Sequence, residues 1–244
     1  MIPIILQEMR KVAGRRGSFW SAIGVTLALI ATIVVASIIV RQVQDDTTGG
    51  KEALDLYTGL IFVPLVLFVL VASLGGAWDF ANGTFRYLVV TGRPPWQLVA
   101  TTMAGVILTS LTVTAPYVLA GIIQALVFPR DGTEAASGGD LAAFVWWCFA
   151  LVTFWSFVAL SVGVTLRSSG AGIAVALVLF FGGFPIAALV ALLSETVAEL
   201  LPNIAILRVG GEGDQSLTLA LVATISWLIA FGATAIVRAE RSEY

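Results

Sequence analysis

The sequence predicts an all-α integral membrane protein of six transmembrane helices, and three observations carry that prediction. Of its 244 residues 59% are hydrophobic and only 11% charged, against the roughly 25% charged residues of soluble domains. Six windows, 17–40, 56–78, 94–129, 141–166, 168–194 and 215–237, contain no Asp, Glu, Lys or Arg. Each exceeds the roughly 20 residues that a helix needs to cross the hydrocarbon core. The whole chain reads as one transmembrane domain, without repeats, low-complexity segments or a soluble domain.

Ahead of the first window, residues 2–16 form an interfacial helix. At 100° per residue Ile2, Ile5, Leu6, Met9, Val12 and Ala13 share one side, and Gln7, Glu8, Arg10, Lys11 and Arg15 the other, with Ile4 as the exception, which is the pattern of a helix lying in the headgroup plane. A basic leader that only sets orientation is the alternative. The first window exceeds a signal-peptide core and lacks a cleavage site, so it reads as a retained span. Spans are expected at about 19–40, 57–77, 96–124, 141–166, 170–193 and 216–237. The third window is longer than a bilayer requires, so its helix runs past the membrane or loosens near Phe128-Pro129. Arg167 alone separates the fourth and fifth windows, with Ser168-Ser169-Gly170 as the turn of a tight hairpin.

Between spans two and three the chain carries an amphiphilic interruption, Asp79 to Pro95. Asn82-Gly83 is a turn signal, Thr84 can cap a helix over 84–91, and Gly92 ends it. Arg93-Pro94-Pro95 starts the next helix, since Pro is tolerated where N–H groups are unpaired. Before span six, the 195–209 stretch reads as a short helical excursion broken at Pro202-Asn203 that dips back toward the membrane, with an ordinary surface loop as the alternative.

With the N-terminus cytoplasmic, Arg10, Lys11, Arg15, Arg16, Arg86, Arg93, Arg167, Arg238 and Arg241 fall inside, and Arg41, Lys51, Arg130 and Arg208 outside. That positive-inside bias predicts a multi-pass protein with both termini cytoplasmic. Net charge is −2 and no basic patch interleaves with aromatics, so nucleic acid is not an expected partner. The chain has no His and one Cys, Cys148, inside an apolar run. That inventory excludes His/Cys metal clusters and Ser-His triads, and the remaining carboxylates sit on loops, so no catalytic, cofactor-binding or metal-binding residues are expected. The windows hold no Asp, Glu or His for proton coupling, and the chain has no phosphate-binding loop ending in Gly-Lys-Ser or Gly-Lys-Thr. Sodium coupling through unwound backbone stays open, with Gly182-Gly183-Phe184-Pro185 in the fifth window as the one such interruption; otherwise uphill movement is expected to be driven by another polypeptide docked on the cytoplasmic side. The intramembrane polar set Thr101, Thr102, Ser110, Thr112, Thr114, Tyr117, Gln124, Thr153, Ser156 and Ser161 is read as helix–helix glue.

These features resemble the permease subunit of ABC-2 type exporters, also called the type V or ABCG-like fold. The residues that carry the likeness are Glu8, Arg10, Lys11 and Arg15-Arg16, then Asn82-Gly83-Thr84-Phe85-Arg86-Tyr87-Leu88, then Gly92-Arg93-Pro94 leading into Gln97-Leu98-Val99. Asp79 or Asn82 stands near the position where that family commonly carries Glu. The likeness covers the six-span layout, and its specific motif about 15 residues.

The resemblance implies a cytoplasmic (inner) membrane protein of a prokaryote, paired with a second permease, identical or homologous, above two copies of a cytoplasmic ATPase that bind ATP and Mg. It also implies an N-terminal connecting helix, a coupling helix after span two and a re-entrant segment before span six. ATPase coupling then falls to Glu8, Lys11, Arg15, Asp79, Asn82, Gly83, Thr84, Phe85, Arg86 and Arg93, and the substrate path to Phe62, Phe68, Phe180, Phe181 and Phe184. The expected function is ATP-driven export of an apolar or amphiphilic small molecule, peptide or lipid-like cargo, as in multidrug efflux. A non-exporting lever that protects against a peptide or matures an exported enzyme, and an ion-coupled carrier, are the alternatives.

Overall fold

A computed structural model describes residues 2–14, 16–44, 50–90, 92, 94–127, 135–209 and 217–241. Arg15, Thr91, Arg93 and the Phe128-Pro129 pair lie outside the described residues, as do the side chains of Arg86, Ile2, Ile5, Val12 and Ala13. Among the described residues there are helices and turns and no strand. In chain order the helices are α1 (Ile2–Gly14), α2 (Arg16–Gln44), α3 (Gly50–Leu60), α4 (Phe62–Ala81), α5 (Thr84–Val90), α6 (Pro95–Val127), α7 (Gly138–Leu166), α8 (Ser169–Ala191), α9 (Glu195–Glu199), α10 (Pro202–Val209) and α11 (Leu217–Glu240). Six segments are long and apolar enough to cross a membrane: Trp20–Ile39 of α2, Gly50–Ala81 comprising α3 and α4, and α6, α7, α8 and α11. The protein is thus a multi-pass membrane protein by length and composition.

Local chemistry sets several of these boundaries. Pro64 has no N–H to give the Leu60 carbonyl, and the helix breaks at Ile61, between α3 and α4, before resuming on the same course. Ser137 accepts from the Asp140 N–H at 3.2 Å and its own N–H donates to Asp140 Oδ2 at 2.9 Å. This capping box starts α7. Arg167, at φ 55°, closes α7 in the left-handed region, and Ser168 caps α8 by accepting from the Ala171 N–H. The hairpin is therefore as tight as the single intervening charge implied.

α7 is the central helix. It packs against α4, α6, α8 and α11, and 67% of its most apolar window is buried, against 17% for α2 and for α8. Its closest neighbour is α4, and missing side chains make that approach possible. A Cβ on Gly163 would lie 2.3 Å from the Ser73 carbonyl oxygen, and one on Gly76 would lie 2.3 Å from the Leu160 carbonyl oxygen. Gly172 of α8 meets the same spot, where a Cβ would lie 2.9 Å from Ser73 Oγ. Small residues let helix backbones touch inside a bilayer, where apolar burial alone gives helices no reason to associate.

The polar glue proves more selective than expected. Thr109, Thr112 and Thr114 donate to the Gly105, Leu108 and Ser110 carbonyls of their own helix. Bonds between helices come from Ser156 donating to Ser110 at 3.1 Å and from a buried chain around Tyr57. There Tyr117 donates to the Tyr57 carbonyl at 2.6 Å, Tyr57 to Gln124 Oε1 at 3.1 Å, and Gln124 to Ser37 Oγ at 2.6 Å. Four helices, α2, α3, α6 and, through Phe144 against Tyr57, α7, are tied at that point.

Candidate functional site

Six elements, α1, α4, α5, α6, the α7–α8 turn and α11, converge at the end of the bundle that carries Arg167. α1 rests on α6 where Gly105 offers no side chain; a Cβ there would lie 2.6 Å from Glu8 Cβ and 3.3 Å from Met9 N. Glu8 is largely covered, whereas Leu6, assigned to the apolar side, is 51% exposed. Lys11 Nζ lies 2.7 Å from Glu8 Oε1 and 3.7 Å from Asp79 Oδ2, so one ammonium neutralises two carboxylates and joins α1 to the end of α4.

Asp79 also holds α5. Thr84 opens that helix as its first residue and turns its hydroxyl back to donate to the Asp79 carbonyl and to Oδ1, both at 3.2 Å. Asn82 donates to the Trp78 carbonyl at 2.9 Å and closes α4. Gly83 and Gly92, at φ 70° and 86°, bracket α5 in a conformation that side chains resist. Phe85, 6% exposed, stacks on Phe80 with centroids 4.1 Å apart. Across the Phe80 ring lies the Arg167 guanidinium, 5.5 Å from its centroid. Arg167 in turn donates to the Arg238 carbonyl at the end of α11.

Contacts thus run unbroken from α1 through α4 and α5 to the α7–α8 turn and α11. The space between α1, α4, α5, α6 and α7, lined by Glu8, Gly76, Asp79, Phe80, Phe85 and Leu98 among others, is about 10 Å³, room for one water at most. It is a packed joint and not a ligand pocket. Of the ten residues assigned to coupling, Glu8, Lys11, Asp79, Thr84 and Phe85 meet here and Asn82 and Gly83 form the exposed turn between α4 and α5. Arg86 lies on α5 with its side chain undescribed, and Arg15 and Arg93 lie outside the described residues. Arg167 and Phe80 belong to the joint but were not assigned to coupling. Their signal in the sequence was weak: one charge between two apolar windows, and a Phe six residues before Arg86.

Of the residues assigned to a substrate path, Phe62 faces Phe180 at 6.3 Å and Phe184 at 6.4 Å, and Phe180 packs edge-on against Trp155 at 4.9 Å. Phe68 is 2% exposed and Phe180 1%, while Phe181 stands 58% exposed on the outer face of α8.

Next to this aromatic cluster sits a residue that sequence reasoning treated only as a helix breaker. Asn203, 1% exposed, donates from Nδ2 to the Phe180 carbonyl at 2.9 Å. It fits because Gly183 leaves its face bare. The Leu200 carbonyl accepts from Trp227 Nε1 at 2.7 Å. Phe180 is the twelfth residue of the 23 in α8, and Trp227 the eleventh of the 24 in α11. The turn between α9 and α10 therefore lies level with the middles of both long helices. No family model and no curated protein matches the chain.

Proposed function

We infer that the chain is the membrane-spanning permease subunit of an ATP-driven exporter of the ABC-2 type, moving apolar or amphiphilic cargo out of the cytoplasm under the drive of a separate ATPase. The observation that carries this reading is the joint at the Arg167 end, where α1, α5 and the ends of α4, α7 and α11 are linked by Lys11, Asp79, Thr84, Phe85, Phe80 and Arg167. A push on α5 there reaches the helices at their ends. α4 and α7, in backbone contact at Ser73, Gly76, Leu160 and Gly163, carry it onward as one rigid pair. α1 then serves as the connecting helix and α5 as the coupling helix.

The depth of Leu200 and Asn203 beside the middles of α11 and α8 supports reading α9–α10 as re-entrant, since buried backbone polar groups at that depth need protein around them. The charge-free windows hold no Asp, Glu, Lys, Arg or His, which suits a mechanical drive from outside the membrane and an apolar cargo bound at about 25 cal/mol per Å² buried. The exposed faces of α2 and α8 are available to a second permease.

The test is ATP hydrolysis by the complex captured through a tag on this chain. Lys11→Glu or Asp79→Lys, each of which turns attraction into repulsion, should abolish the coupling of hydrolysis to cargo. The double variant, which restores opposite charges, should recover it. Equal cargo-stimulated hydrolysis in all four forms would remove the joint from the mechanism.

A further inference from the structure

α7, α8 and α11 enclose a second feature that the coupling joint does not use. An open groove of about 300 Å³ runs between α8 and α11 over α7, lined by Val162, Thr165, Val175, Leu179, Trp227 and Phe231 among others. Its wall is hydrocarbon even where the residues are polar. Thr165 donates to the Ser161 carbonyl and Thr234 to the Ala230 carbonyl, both at 2.7 Å, so each turns its hydroxyl inward to its own helix. On α11 the lining residues Trp227, Phe231 and Thr234 fall at i, i+4 and i+7, and the same stripe continues to Arg238 and Arg241 at i+11 and i+14. Arg238 and Arg241 are exposed, Glu240 lies on the opposite side of the helix, and the Arg167 guanidinium binds at the Arg238 carbonyl beside the groove's end.

We propose that this groove is a binding site for an anionic phospholipid of the adjoining leaflet, one acyl chain lying along Trp227, Phe231 and Val175 with the phosphate on Arg238 and Arg241. The length fits. From Arg238 to Trp227 is eleven residues, about 16 Å of helix, and one leaflet of hydrocarbon is about 15 Å deep. The charge fits too, because a basic pair at the headgroup level of an interhelical groove selects anionic headgroups. A second copy of the chain suits the groove less well. Two subunits related by an axis along the membrane normal present the same residues at the same depth, which would set the Arg238 and Arg241 pairs against each other. The proposal needs only the membrane-spanning reading of α7, α8 and α11, and stands or falls apart from the transport function.

The test is native mass spectrometry of the detergent-solubilised protein with phosphatidylglycerol or phosphatidylcholine of identical chains. Phosphatidylglycerol should be retained selectively, with about fivefold weaker binding on Arg238→Gln and about thirtyfold on Arg238→Gln/Arg241→Gln. Ala230→Trp, which fills the groove, should weaken both lipids. At one bound lipid per protein, phosphatidylglycerol with brominated chains should quench tryptophan fluorescence, less so in Trp227→Phe, a readout that survives if Ala230→Trp fails to fold. Equal retention of the two lipids, wild-type binding by the double Arg variant, quenching unaffected by Trp227→Phe, or a change of oligomeric state without loss of lipid in Ala230→Trp would each overturn the proposal.

Discussion

A methyl group added at Gly183 gives the sharpest account of how α10 is held against α8. The new Cβ would lie 2.0 Å from Asn203 Oδ1, 2.3 Å from Cγ and 2.5 Å from Nδ2, so the amide must withdraw by about 1.5 Å to reach ordinary contact. Asn203 is 1% exposed and has nowhere to go without giving up its 2.9 Å bond to the Phe180 carbonyl. Gly183→Ala should therefore cost about 1–3 kcal/mol of overpacking plus about 0.6–1.7 kcal/mol for the intramembrane hydrogen bond. Asn203→Ala alone loses the bond and leaves a small void, about 1–2 kcal/mol. In Gly183→Ala/Asn203→Ala the two methyls no longer collide, so the pair should cost little more than Asn203→Ala by itself. The assay is reversible unfolding in mixed detergent, followed by helix signal, for the wild type and the three variants. Costs that add to within about 0.5 kcal/mol would mean the two residues do not touch, and the placement of α10 beside the middle of α8 would be refuted.

Gly163→Ala meets a backbone oxygen and not a movable side chain, so it should lower stability by about 1–3 kcal/mol in the same unfolding assay, and Gly163→Leu should prevent stable insertion, read as aggregation on gel filtration. Gln124→Leu strands the buried Tyr57 hydroxyl, while Ser37 keeps its bond to the Ile33 carbonyl, and should cost about 1–2 kcal/mol; Tyr57→Phe strands Gln124 Oε1 instead and should cost a similar amount, the Tyr117 bond to the backbone of residue 57 surviving in both. Ser137→Ala removes the hydroxyl that accepts from the Asp140 N–H, leaving only the backbone N–H of residue 137 on the Asp140 carboxylate, and should lower stability by about 1 kcal/mol. Gly105→Leu should lift α1 off α6 while leaving the bundle folded, which a cysteine at position 8 would report as faster labelling by a water-soluble maleimide.

What the sequence made legible follows from the physics of each feature. The spans were readable because charge is costly in hydrocarbon, so six charge-free windows mark six crossings. The tight α7–α8 hairpin was readable because Arg167 and Ser168-Ser169-Gly170 leave room for nothing longer. Which face of each helix is buried was not readable. Lipid and protein interior are both apolar, and the amphipathic signal that marks a core face in a soluble helix is absent. The crossing at Ser73, Gly76, Gly163 and Gly172 is coded by lack of side chain, which hydropathy does not register. α1 shows the converse: its periodicity was clear, but the tie that joins it to α4, Lys11 to Asp79, spans 68 residues of sequence and leaves no local signal. Asn203 escaped notice as a buried donor because Pro202 beside it reads as a break, and its partner carbonyl lies in another span.

The most direct measurement of the central claim is cargo accumulation in sealed vesicles containing the purified protein, with a panel of fluorescent amphiphiles as cargo. Vesicles holding this chain alone should accumulate none of them under a proton or sodium gradient, and uphill movement should appear only when the partner ATPase and ATP are supplied. Accumulation driven by an ion gradient with this chain alone would contradict the account.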